Sequence, residues 1–92
     1  MALYSCPRCV TDVELPDELT LPTRMHVANT ARTDSVSAVR TLHATGGLTL
    51  RQAKAYVAHV TRAGGQCHRC KYVFTILGPS FCPGCSAFNI ND

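Results

Sequence analysis

The feature that most constrains this chain is CHRCKYVFTILGPSFCPGC, residues 67–85. It contains two Cys-x-x-Cys pairs, Cys67/Cys70 and Cys82/Cys85, with eleven residues between them. Two intervening residues let the backbone turn so that both sulfurs of a pair face one ion. Four thiolates brought together in this way complete the tetrahedral shell of Zn²⁺. The segment between the pairs reads as a strand over residues 72–77, a turn at Gly78-Pro79 and a return toward Cys82.

Two such turns facing each other across a short β-hairpin resemble the zinc-ribbon, or rubredoxin-like, family, over roughly the last 26 residues. The chain departs from that family after the second cysteine of each turn. Lys71 and Ser86 stand where glycine is frequent, at a position whose backbone glycine adopts most easily.

A chain of 92 residues has a thin core, here without Trp and with few other aromatic residues. A structural zinc, with an apparent binding energy on the order of 10–16 kcal/mol, makes up for such a deficit because binding and folding are coupled. The alternative use of six cysteines is three disulfides. All six fall into Cys-x-x-Cys pairs, and MALYSCPR has neither the charged nor the apolar region of a secretory signal. No run approaches the roughly 18 apolar residues of a membrane span. The expectation is therefore Zn²⁺ in a reducing, cytoplasmic setting, away from membranes.

Charge is unevenly spread. Residues 1–19 carry Arg8 against Asp12, Glu14, Asp17 and Glu18, net −3, and the remainder carries net +6. The C-terminal part therefore suits an acidic partner, nucleic acid included, although solvated basic faces are common.

The N-terminus offers a third pair, Cys6 and Cys9, followed by a strand in VTDVEL that Pro16 stops. Two thiolates do not close a zinc site. His26, separated from Cys9 by sixteen residues, is one candidate third ligand. The pair could instead join a C-terminal pair, be completed by a second subunit, or remain a reduced remnant. Residues 16–34, with two prolines, read as a connector with a short extended piece near residues 25–28.

Two helices should follow. Asp34 caps the first, SVSAVRTLHAT, which Gly46-Gly47 ends, and Val36, Val39 and Leu42 form its apolar stripe with His43 at the margin. Thr49 caps the second, LRQAKAYVAHVTRA, which Gly64-Gly65 stops. Its apolar side carries Leu50, Ala53, Tyr56, Val57 and Val60, and its opposite side Arg51, Lys54 and Arg62. His59 flanks the stripe as a solvated residue. The fold class expected is a small metal-stabilised α+β protein. It joins an N-terminal half-ribbon and connector (1–33), a helical hairpin (34–64) and a C-terminal zinc ribbon (65–92).

Within residues 39–60, ATGGLTLRQAKAYV resembles the helix-turn-helix core of the C-terminal domain of the bacterial ribosomal stalk protein. Thr45, Gly46, Leu48, Leu50, Ala53, Lys54 and Val57 fit once a residue is inserted near Gly47, while Thr49 and Gln52 depart. That resemblance implies a helix pair docking translation GTPases, with Arg51 and Lys54 as contacts.

A four-cysteine site leaves no open metal position, and no nucleophile triad or phosphate loop is recognisable, so an enzyme is not expected. The leading expectation is a zinc-stabilised adaptor whose helical hairpin docks a protein, in translation or transcription, while the ribbon holds the hairpin rigid. The competing one is a nucleic-acid binder, with Arg69, Lys71, Tyr72 and Phe74 pairing phosphate contacts with stacking, and Arg51, Lys54 and Arg62 extending the surface. A third is a redox or zinc-responsive regulator acting through Cys6 and Cys9.

Overall fold

The structure, a computed structural model, describes residues 2–92. Strands β1 (Ala2–Cys6) and β2 (Thr11–Leu15) form an antiparallel hairpin with Ala2 opposite Leu15 and Cys6 opposite Thr11. Alternation along β2 sends Val13 and Leu15 into the core while Asp12 stays in solvent. Pro16 stops the strand, and Leu19 turns back to be buried.

Three helices follow, so the α+β class stands with one helix more than the expected pair. Helix α1 (Leu21–Ala31) occupies the segment read as a connector with a short extended piece near residues 25–28. Pro22 falls in its first turn, where a missing N–H costs nothing and the fixed φ suits a helix. The helix has no apolar stripe to reveal it. Its burial is confined to Val27 and Ala28, and Arg32 just beyond it ties its end to Thr61 and to the Asp92 backbone carbonyl.

Helix α2 (Ser35–Thr45) begins and ends as its sequence indicates. The Asp34 carboxylate accepts from the Ser37 N–H, and the Gly46 N–H donates to Leu42 O. Its core contacts come from Ala38 and Leu42, while Val36 is exposed. Helix α3 (Leu50–Ala58) starts with a full capping box between Thr49 and Gln52. It ends five residues short of the expected limit. From His59 the backbone runs out to pair with the C-terminal strand. Thr61 N–H donates to Ile90 O at 3.0 Å, and Ile90 N–H to His59 O at 2.8 Å.

Strands β3 (Gly78–Phe81) and β4 (Phe88–Asn91) make a second antiparallel pair, with Gly78 opposite Asn91 and Phe81 opposite Phe88. The strand expected over residues 72–77 is absent, and the expected Gly78-Pro79 turn is instead the start of β3. β4 is only four residues long and spends its register on β3, so, among the described residues, 72–77 find no strand partner beyond a single bridge between Gln66 and Val73.

Every residue of β4 is buried. It pairs with β3, bridges Val60, and stacks Phe88 on Tyr4 of β1 with ring centroids 4.6 Å apart. Helix α1 packs on α2, α2 on α3, and α3 on β2. The core thus runs from Val13 through Val27, Leu42, Ala53 and Tyr56 to Phe88 and Ile90. Among the described residues no helix is long and apolar enough to cross a membrane.

Candidate metal centre

The four C-terminal cysteines converge. The Sγ atoms of Cys67, Cys70, Cys82 and Cys85 all lie within 4.8 Å of one another. Cys67 and Cys85 are 3.7 Å apart, and Cys70 and Cys82 are 3.4 Å apart. A tetrahedron with metal–sulfur bonds of about 2.3 Å places its sulfurs about 3.8 Å apart. A disulfide needs about 2.05 Å. All six cysteines are free thiols, so the arrangement has the dimensions of a cage and not of a cross-link.

Each pair forms the same turn. Lys71 N–H donates to Cys67 O at 3.3 Å, and Ser86 N–H to Cys82 O at 2.8 Å. Backbone N–H groups also point at sulfur, Arg69 to Cys67 Sγ at 3.4 Å and Gly84 to Cys82 Sγ at 3.3 Å. Closing the turn puts Lys71 and Ser86 in the left-handed region, at φ 67° and 68°. Gly84 lies so close that a Cβ there would meet Cys70 Sγ at 3.3 Å.

Further support comes from β4. The buried Asn89 side chain donates to Cys67 Sγ at 3.3 Å and accepts from His68 N–H at 3.1 Å. Burial resists ionisation of Cys67, but the Cys70 and Arg69 N–H groups, Asn89 and Cys85 outweigh it and bring the thiol down to about 6. For Cys70 the Tyr72 backbone favours the thiolate, yet Cys82, burial and the remaining thiols push it up to about 12. A cation among the sulfurs would favour the thiolate at Cys67 and Cys70 alike.

A second group lies apart from the first. Cys6, Cys9 and His59 each present a ligand atom within 4.8 Å of the others. His26 does not join them. It sits exposed on α1, and the imidazole that approaches the N-terminal pair belongs to the residue capping α3. His59, expected in solvent, is only 2% exposed. Its position depends on where α3 stops, which the helical stripe running through Val60 concealed. For Cys6, burial opposes ionisation, but the backbone N–H donors of Phe88, Cys9 and Arg8 outweigh it and lower the thiol to about 7. Cys9 is raised, by burial and then by Cys6.

The basic residues do not gather on one face. Lys54 and Arg62 line a groove of about 660 Å³ together with Arg32, Val57 and His68. Arg51 borders a different concavity beside Val10 and Asp12. Arg69 and Lys71 are exposed at the first turn of the four-cysteine cage. His43 is exposed and its Nδ1 lies 2.8 Å from Leu48 O, a local contact closing the turn after α2.

Comparison with protein-family models, curated proteins and solved structures found no match to the chain.

Proposed function

We propose that the protein is a small zinc-stabilised adaptor. Cys67, Cys70, Cys82 and Cys85 hold a structural Zn²⁺ in a zinc-ribbon arrangement, and the segment between the pairs docks a protein partner. Four thiolates saturate a tetrahedral ion, so this centre holds the segment in place without activating a substrate.

The observation that carries the reading is where apolar side chains are left in solvent. Tyr72, Val73, Ile76 and Leu77 are exposed, as two pairs on either side of the buried Phe74, on a stretch pinned at both ends by the cage, Ile76 and Leu77 at 72% and 73%. Apolar side chains grouped on a surface mark a contact region more often than singly scattered ones do. A specific feature also favours the second reading, nucleic acid, since Arg69 and Lys71 stand beside the half-exposed Tyr72. Two cations and a net charge of +3 make it the weaker of the two.

A photo-crosslinking residue at position 76 of the metal-loaded protein tests both. A discrete protein adduct in cells, lost when Leu77→Asp is added, supports the adaptor. An adduct to RNA or DNA that weakens steeply with salt would replace it with the second reading, and no adduct of either kind ends both.

A further inference from the structure

The turn that the four-cysteine cage uses twice occurs a third time in the molecule. Val10 N–H donates to Cys6 O at 2.9 Å, matching Lys71 to Cys67 and Ser86 to Cys82. Val10 is left-handed at φ 52°, like Lys71 and Ser86. For a β-branched residue that conformation is an outlier, and Val10 is 89% exposed, so packing does not impose it. Phe88 N–H points at Cys6 Sγ from 3.3 Å, as Asn89 does at Cys67.

Opposite this turn sits an imidazole with one nitrogen left over. His59 Nδ1 lies 2.6 Å from Ala55 O. A carbonyl only accepts, so Nδ1 carries the proton and Nε2 keeps its lone pair. Nε2 is buried and has no hydrogen-bond partner among the described residues. This is how ligand histidines are oriented, with the far nitrogen donating to a backbone carbonyl. Among the described residues no fourth Cys, His, Asp or Glu joins these three.

We propose that Cys6, Cys9 and His59 bind a second Zn²⁺ through three protein ligands, leaving a fourth position for a donor from outside the chain. Binding releases the two thiol protons to solvent, and His59 Nε2 contributes its lone pair. Two thiolates balance the charge of the ion. Arg69, exposed and beside Cys9, adds a positive edge that suits an anionic fourth donor such as a thiolate or carboxylate.

The test is metal content of the fully reduced chain refolded with Zn²⁺. Two equivalents are expected, falling to one in Cys9→Ser and in His59→Gln, with His26→Gln still at two. His59→Gln keeps much of the buried volume, and Cys9→Ser alters a half-exposed residue, so a loss of one ion is separable from unfolding by circular dichroism. In the protein loaded with two Co²⁺, added 2-mercaptoethanol should shift the visible absorption, and the shift should vanish in Cys9→Ser. One equivalent in the wild type, or two persisting in both variants, overturns the site. Absorption unmoved by the thiol overturns the open position. A wild type holding one ion that Cys9→Ser retains would leave the four-cysteine centre standing while this inference fails.

Discussion

At the scale of single residues, three turns share one conformational demand and meet it with Val10, Lys71 and Ser86, none of them glycine. The left-handed region costs an L-residue about 1–2 kcal/mol, and branching at Cβ makes Val10 the worst placed of the three. Glycine there removes the clash but adds about 0.5–1 kcal/mol of chain entropy to be lost on folding. Val10→Gly should therefore stabilise the metal-saturated protein by roughly 1 kcal/mol, read as a higher urea midpoint with unchanged slope. A lower midpoint would mean that the valine side chain makes a contact worth more than its strain. The four C-terminal cysteines were legible from spacing because the turn that presents them is local. His59 was not legible as a candidate ligand. Its approach to Cys6 depends on chain fifty residues away, and nothing in a lone histidine announces which carbonyl will hold its other nitrogen.

Among the elements, the helices separate what is written locally from what packing decides. α2 and the start of α3 carry their own boundary signals, Asp34 and the Thr49–Gln52 box. α1 carries almost none. Its cap position, Thr20, makes no side-chain cap bond, and its apolar positions do not line up. It forms because Val27 and Ala28 are buried and because Arg24 pairs with the buried Asp92 carboxylate at 3.1 Å. The early end of α3 has the same origin, since continuing the helix would forfeit the bonds of residues 59–61 to β4. The caps give a paired test. Thr49 Oγ1 accepts from Gln52 N–H at 3.1 Å, and Gln52 Oε1 accepts from Thr49 N–H at 2.9 Å. Thr49→Ala should cost about 1 kcal/mol in urea denaturation, Thr49→Ser little, and Thr20→Ala much less than Thr49→Ala. Equal losses at positions 20 and 49 would show that side-chain capping is not what starts α3.

Across the whole molecule, hydrophobic burial and thiol clusters support different regions. Val27, Ala38, Leu42, Ala53 and Tyr56 are buried where the helices pack on one another and on β2. Between residues 67 and 86 the buried side chains are Cys67, Phe74 and Cys82, while Tyr72, Val73, Ile76, Leu77 and Phe81 are exposed. That stretch has too little apolar contact to offset the entropy of ordering it, so a bound ion would supply what burial does not. The helical layer has contacts of its own. Removing metal with a chelator should therefore act unevenly. Amides of residues 67–86 should lose hydrogen-exchange protection first and most, those at the centres of α2 and α3 last. β4 should fall between, because it is buried against Tyr4 and Val60 as well as against the cage. Exchange measured by mass spectrometry on reduced protein, before and after chelation, reads this order directly. Uniform loss along the chain would mean that the helices have no stability apart from the cage. Unchanged protection in residues 67–86 would remove the cage from the account of folding altogether.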